Sequence, residues 1–149
     1  TPHAAASLLD DIVAKYPNHQ LRFIGSSLGG FLATWLVHKY GGKAVCVNPA
    51  VKPHLLFEKY LGDHVHPITG ENYLLTRADM DVLAKLNVEP VTASEQLWIL
   101  VKTGDEILDY RDAVSHYKGC KILLEDGGDH SFDNFEEKLK DIVEFLDLG

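Results

Sequence analysis

The sequence predicts an α/β fold in which a parallel sheet is covered by helices on both faces. Apolar runs at residues 21–24, 44–48, 97–101 and 121–124 predict four strands, which alternate with segments of helical periodicity. The runs are continuously apolar, as is typical of strands buried on both faces. With 149 residues, 46% of them hydrophobic, the chain can build one sizeable core. We therefore expect a single three-layer domain over residues 1–149.

The composition restricts the partners and the compartment. A net charge of −8 argues against nucleic acid or an anionic membrane as a general partner. No apolar run approaches the length of a membrane span, and the first residues lack the pattern of a signal peptide. Cys46 and Cys120 are isolated, which favours buried thiols in a reducing compartment over a disulfide. These features predict a cytoplasmic protein.

The first helix begins at Thr1-Pro2, where a hydroxyl cap precedes a proline at the first helical position, and it stops before Pro17. The residues expected on its inward face are Ala5, Leu8, Leu9, Ile12 and Val13. After the first strand, a second helix runs to the glycine stop signal at Gly41-Gly42.

A long segment, residues 51–94, separates the second strand from the third and breaks the alternation. Residues 55–61 and 79–86 predict short helices, the second with Asp79 as its cap, and the residues between them look like loop. Long excursions between strands are usually lids or binding insertions. We therefore predict that residues 51–94 form a mostly helical cap.

Two further strand–helix pairs complete the predicted fold. Asp109 is expected to cap the helix that follows the third strand. The last helix follows the fourth strand, and its inward face is expected to contain Phe135, Leu139, Ile142, Val143 and Leu146.

The most specific motif is Gly25-Ser26-Ser27-Leu28-Gly29, between the first strand and the second helix. Gly-x-Ser-x-Gly in this context places a serine on a sharp, strained turn, and the two glycines leave room where strand and helix nearly touch. The Ser27 hydroxyl would stand near helix N-terminal N–H groups that can stabilise developing negative charge. The alternative is an ordinary Gly-rich turn or a phosphate site, although no P-loop lysine follows.

Asp105 and His130 follow the third and fourth predicted strands. With Ser27 they lie at the carboxyl ends of parallel strands, where such folds bind ligands, and their order Ser, Asp, His is that of α/β-hydrolases. His130 could accept the Ser27 proton, Asp105 could orient the imidazole, and the Leu28 N–H could be an oxyanion donor.

Other assignments of these polar residues stay open. Glu106 and Asp109 are rival acids, although Asp109 is already expected to cap a helix. His130 could instead be an exposed loop histidine. A group of three histidines could indicate a metal site, but it lacks carboxylates at suitable spacing: His54, His64 and His66. We therefore predict neither a metal nor another cofactor.

Five motifs together resemble the small bacterial YqiA/YcfP-type esterases, in the same order and over nearly the whole chain. They lie at residues 25–30, 47–51, 69–73, 103–111 and 127–132. The resemblance implies an α/β-hydrolase fold and hydrolysis of a small-molecule carboxylic ester or acyl thioester, acyl-CoA included. It also implies that Ser27 is the nucleophile, Asp105 the acid and His130 the base.

The predicted cap would then lie over Ser27 and bind the acyl group of the substrate. The apolar residues expected to form this acyl site are Leu55, Leu56, Tyr60 and Tyr73. The alternative is that these side chains only complete the core.

The resemblance implies a preceding strand that ends in His-Gly-Phe and supplies a second oxyanion N–H, and this sequence contains no His-Gly-Phe. The chain starts at Thr1 and its one methionine is Met80, so we expect a piece of a longer chain. Without that strand, the strand before Ser27 becomes a sheet edge, and self-association through this edge is the alternative expectation. A non-catalytic binding module with the same fold is the competing function.

Overall fold

The computed structural model describes residues 1–149, which divide into two compact units. The smaller unit is Thr1–His19 with Lys52–Asn87, and the larger is Gln20–Val51 with Val88–Gly149. The helices are α1 Pro2–Ala14, α2 Leu28–Tyr40, α3 Pro53–Leu56, α4 Arg77–Leu86, α5 Tyr110–His116 and α6 Leu139–Phe145. The strands are β1 Arg22–Ser26, β2 Lys43–Val47, β3 Gly62–Val65, β4 Asn72–Leu75, β5 Leu97–Lys102 and β6 Lys121–Glu125. Short 3-10 helices span Glu58–Tyr60, Ser94–Gln96 and Phe135–Lys138.

The larger unit contains a four-stranded sheet in the order β1-β2-β5-β6, and every neighbouring pair is parallel. Ser26 lies opposite Val47, and Val47 lies opposite Leu100, so the strands end at one common edge. All six residues of β5 are buried. The predicted parallel sheet is therefore confirmed, with β1 as an edge strand beside β2.

The two faces of this sheet carry separate apolar clusters because successive strand residues point to opposite faces. On one face α2 and α5 cover β2 and β5, and Tyr117 is buried there together with Cys46. On the other face Trp98 and Leu100 pack with Phe132 and with Ile142 and Leu146 from the α6 region. Helices on both faces produce the predicted three layers. Cys46 and Cys120 are free thiols, and burial raises the pKa of Cys46 to about 12.

The last helix does not bury all of the residues that were predicted to point inward. Ile142 and Leu146 are buried as expected, whereas Leu139 and Val143 are 46% and 39% exposed. The segment begins as a 3-10 helix over Phe135–Lys138, and its tighter turn shifts the later residues around the helix axis. The prediction that Leu139 and Val143 point inward is wrong.

In the smaller unit, α1 and α3 pack against α4. Thr1 caps α1 as predicted, since its Oγ1 accepts a hydrogen bond from the Ala4 N–H at 3.2 Å. Leu8 and Ile12 are 59% and 43% exposed, so the prediction that they point inward is wrong. The buried residues of α1 are Ala6 and Val13, because α4 covers a stripe narrower than the apolar face.

Residues 51–94 contain the expected short helices and also an antiparallel hairpin of β3 and β4, which the pattern of polar residues did not predict. The prediction that Asp79 caps α4 is wrong. The cap is Thr76, whose Oγ1 accepts from the Asp79 N–H at 3.2 Å, while the Asp79 carboxylate accepts from the Thr76 N–H at 2.8 Å. Asp79 therefore completes a reciprocal capping box. None of the helices combines the length and apolar character needed to cross a lipid bilayer.

Candidate active site

Ser27 occupies the turn between β1 and α2 in a strained backbone conformation, with φ 56° and ψ −118°. Glycine is required two residues before Ser27, because a Cβ on Gly25 would lie 2.1 Å from the carbonyl oxygen of Gly29. A Cβ on Gly29 itself would meet nothing within 4 Å, so Gly29 is not required for space. The close approach involves Gly30 instead, where a Cβ would lie 2.8 Å from the Cβ of Pro49.

The backbone of Ser27 is tied to the end of β2, while its hydroxyl makes no capping bond to α2. Its N–H donates to the Val47 carbonyl at 2.9 Å, and its carbonyl accepts from the Ala50 N–H at 3.0 Å. Leu28 is the first residue of α2, so its N–H has no acceptor within the helix. The turn thus presents a hydroxyl beside an N–H that is available to an oxyanion.

The structure brings Asp105 and His130 together. The Asp105 Oδ2 and the His130 Nδ1 are 2.9 Å apart, with side chains 3% and 21% exposed. The other oxygen, Oδ1, accepts from the N–H groups of Ile107 and Leu108, both at 2.9 Å. A carboxylate can only accept here, so the neutral imidazole carries its proton on Nδ1 and its lone pair on Nε2. That tautomer can receive a proton at Nε2.

The rival acids have other hydrogen-bond partners. Glu106 Oε2 accepts from the backbone N–H of His130 at 2.9 Å, so it holds the main chain and not the ring. Asp109 caps α5 as predicted, accepting from the Arg111 N–H at 3.0 Å. The side-chain hydrogen bond from Arg111 lowers the pKa of Asp109. The carboxylate that contacts the imidazole is Asp105.

A buried lysine supports the loop that carries His130. The Lys102 Nζ lies 3.0 Å from Glu125 Oε1, 3.5 Å from Asp133 Oδ1 and 4.6 Å from the centre of the Phe132 ring. Burial alone would lower the pKa of Lys102, but the hydrogen bond to Glu125 and the charges of Glu125 and Asp133 raise it. Lys102 therefore stays protonated and ties the end of β5 to the residues around His130.

The stability contributed by Glu125 is expected to depend on pH. Hydrogen bonds from Lys138 and then Lys102 hold the pKa of Glu125 below its usual value of 4.5. The stability that Glu125 contributes is fully present when the pH is above the usual pKa of a glutamate, and it is lost as the pH falls through the lowered pKa of Glu125. We expect Glu125→Gln to lower the urea midpoint near pH ~7 and to flatten its decline between about pH 5 and pH 2.

Glu136→Gln is the control for this measurement, because Glu136 is exposed on the 3-10 helix before α6. It should follow the wild-type midpoint at every pH. A Glu125→Gln protein whose midpoint falls in parallel with the wild type would contradict the assigned role of Glu125.

The residues predicted to form the acyl site all lie in the smaller unit. Leu55, Tyr60 and Tyr73 are 60%, 51% and 44% exposed, and Leu56 is half-buried. The ring of Tyr73 stacks on that of His64 with centres 5.3 Å apart. Their role in binding an acyl group stays a prediction.

Two of the three histidines considered as metal ligands take part in local hydrogen bonds. His64 Nε2 is hydrogen-bonded to the Tyr60 carbonyl, and His66 Nδ1 accepts from the N–H groups of Ile68 and Thr69. The structure brings together no group of three or more His, Cys, Asp or Glu side chains that could hold a metal ion.

One residue of the site was missed by the sequence reasoning. Asn48 was interpreted as the end of the second strand and as part of the motif at residues 47–51, with no role in the site, whereas its buried side chain is hydrogen-bonded to the backbone of Lys102, Asp129 and His130. The available signal was a polar residue directly after a fully apolar strand, at the edge where Ser27 was expected.

The fold is similar to those of several solved structures. Est1E from Butyrivibrio proteoclasticus, solved with ferulic acid bound, matches with a TM-score of 0.70 at 19% identity, covering 98% of this chain and 68% of that chain. Alpha/beta hydrolase domain-containing protein 10 from mouse matches with a TM-score of 0.69 at 16% identity, covering 99% and 69%. A monoacylglycerol lipase from Paleococcus ferrophilus matches with a TM-score of 0.67 at 16% identity, covering 98% and 75%.

These similarities establish an α/β-hydrolase fold. The chain is shorter than the proteins it matches. It spans 64% of the length of a further match, a protein from Agrobacterium vitis S4. The model of the uncharacterised protein family UPF0227 matches residues 1–147, which confirms the resemblance to YqiA/YcfP-type proteins. The chain therefore belongs to the UPF0227 family.

Proposed function

We propose that the protein is a serine hydrolase that cleaves small carboxylic esters or acyl thioesters through an acyl-enzyme on Ser27. The observation that carries this proposal is the 2.9 Å hydrogen bond between Asp105 and the Nδ1 of His130, in a sheet whose first strand, β1, leads directly into Ser27. It leaves Nε2 as the proton acceptor that a serine nucleophile requires. The neighbours named as a lipase and as hydrolase proteins support the reaction class.

In the proposed reaction the Ser27 Oγ attacks the carbonyl carbon of the substrate while His130 Nε2 takes the hydroxyl proton. The carbonyl π electrons move to the oxygen, and the Leu28 N–H donates to this oxyanion. Collapse of the tetrahedral intermediate breaks the bond to the alcohol or thiol, which leaves with the proton from His130. Water then repeats the sequence, releases the carboxylic acid and restores Ser27.

The burial of Asp105 serves this mechanism. Its side chain is 3% exposed and receives two backbone N–H bonds besides the imidazole, so its orientation is fixed before any substrate binds. A buried carboxylate beside the ring stabilises the imidazolium that forms when Ser27 loses its proton, because the attraction is weakly screened there.

Active-site labelling tests the proposal directly. We expect a fluorophosphonate to form one covalent adduct, located on Ser27 by mass spectrometry of the digested protein. Paired nitrophenyl oxyesters and acyl thioesters with the same acyl chain should then give a burst of product, and the relative rates identify the preferred leaving group.

Ser26→Ala is the matched control, since Ser26 is the adjacent serine at the end of β1 and is exposed. It should label as the wild type does. A wild-type protein that forms no adduct on Ser27 under these conditions would instead support the competing function, a binding module that keeps the hydrolase fold.

A further inference from the structure

Asn48 lies at the point where the backbone segments of the candidate site meet. It follows β2 with φ 41°, in the left-handed region, and it is 2% exposed. Asparagine tolerates this region better than most residues with a side chain. A buried carboxamide must find hydrogen-bond partners, because burying it without them is unfavourable.

The side chain of Asn48 bridges the end of β5 and the loop that contains Asp129 and His130. Its Oδ1 accepts from the Lys102 N–H at 3.0 Å, at the last residue of β5. Its Nδ2 donates to the carbonyls of Asp129 and His130 at 3.1 Å and 2.9 Å. An N–H can only donate and a carbonyl can only accept, so the partners fix the orientation of the carboxamide.

The backbone around Asn48 contacts the third segment, which carries Ser27. The residue before it, Val47, accepts from the Ser27 N–H at 2.9 Å, and Ala50 donates to the Ser27 carbonyl at 3.0 Å. The Asn48 N–H itself donates to the Leu100 carbonyl of β5 at 2.8 Å. Residues 47–50 thus connect the serine turn to the strand that precedes Asp105 and to the main chain of His130, and Asn48 supplies the bonds to the last two.

The loop before His130 needs such an anchor. Gly127 and Gly128 have φ of 77° and 71°, a conformation that glycine adopts freely and that does not by itself hold a following residue in place. His130 is held at three points: the ring by Asp105, the N–H by Glu106 and the carbonyl by Asn48.

We propose that Asn48 is a positioning residue that holds His130 at the distance from Ser27 that proton transfer requires. This inference rests on the proposed hydrolase function and goes beyond it, since Asn48 contacts no reacting atom. A displacement of about 1 Å at a reacting group can cost ~10²-fold in rate. The loss should appear in kcat, with KM largely unchanged, because Asn48 supplies no substrate contact.

Two variants remove the bridge without adding backbone strain. Asn48→Asp keeps the shape and the acceptor for Lys102, and as a carboxylate it has no donor for the two carbonyls; Asn48→Gly removes the side chain at a φ that glycine adopts freely. Tyr117→Phe is the control, since it removes a different buried hydrogen bond, between Tyr117 and Thr34 at 2.9 Å, on the face covered by α2 and α5.

We expect both Asn48 variants to lower kcat and the rate of fluorophosphonate labelling by ~10²-fold, while Tyr117→Phe lowers the unfolding midpoint and leaves kcat near that of the wild type. The Nδ1–H proton resonance of His130 should broaden in the Asn48 variants and stay sharp in the control. Labelling rates in the Asn48 variants equal to that of the wild type would overturn the inference and leave the hydrolase proposal standing.

The NMR measurement separates the two proposals, because it needs no activity. If wild-type Ser27 does not label, the hydrolase proposal fails. The positioning role is then tested by NMR alone, and it is overturned if the His130 resonances of Asn48→Asp are the same as those of the wild type. If neither variant folds, the wild type decides: through-space cross-peaks between the Asn48 Nδ2 protons and His130 support the bridge, and their absence overturns it.

Discussion

Replacing Ser27 with alanine is expected to abolish ester hydrolysis and fluorophosphonate labelling, with a loss in kcat of at least ~10⁴-fold. The change removes the oxygen on which the acyl-enzyme is proposed to form. The domain should stay folded, because the Ser27 hydroxyl caps no helix and the backbone hydrogen bonds of Ser27 remain. Activity assays and urea unfolding of the same preparation check both parts.

Ser27→Gly adds a second, independent expectation. The φ of 56° and ψ of −118° are strained for serine, and such strain costs about 1–3 kcal/mol. Glycine relieves the strain, but its greater conformational freedom in the unfolded chain offsets about 0.5–1 kcal/mol of that gain in stability. The variant should therefore be inactive and more stable than the wild type by about 1 kcal/mol, as expected where strain serves a functional site.

Asn134→Gly is the control for the stability gain. Asn134 also has a positive φ, 63° with ψ 25°, but this is the left-handed helical region that asparagine tolerates well. Its replacement should raise the free energy of unfolding by less than Ser27→Gly does. A Ser27→Gly protein that is less stable than the wild type, or that still hydrolyses esters, would refute the functional interpretation of the turn.

Asp105→Asn is expected to lower kcat by about 10⁴-fold while the fold is kept. The asparagine Oδ1 can still accept from the Ile107 and Leu108 N–H groups, so the loop keeps its local bonds. Its NH₂ group would face the His130 Nδ1 and would favour the tautomer that carries the proton on Nε2. In that tautomer the imidazole cannot accept the proton of Ser27.

Asp109→Asn is the matched variant, since it makes the same chemical change four residues away. Asparagine is as good a helix cap as aspartate, and the lost ion pair with Arg111 is exposed on both sides and worth little. We expect kcat close to that of the wild type. If Asp109→Asn is the more damaging change, the acid has been misassigned.

Much of the fold could be predicted from the sequence because the signals are local. The continuous apolar runs predicted the parallel sheet, and Thr1-Pro2, Gly41 and Asp109 marked helix ends through chemistry that acts within one turn. The Gly-x-Ser-x-Gly motif predicted the strained turn, although the steric contacts require glycine at Gly25 and Gly30 and not at Gly29. Ser27, Asp105 and His130 could be named as candidates from their place after strands and from the resemblance.

The tertiary structure decided what depends on partners distant in the chain. Only the folded backbone shows that Asp105, 25 residues from His130, reaches the ring while Glu106 holds the main chain. Likewise Asn48 binds carbonyls more than 80 positions further along the chain. The exposure of Leu8 and Leu139 was missed for the same reason. Periodicity states which face of a helix is apolar, whereas the packing of its neighbours determines how much of that face is covered.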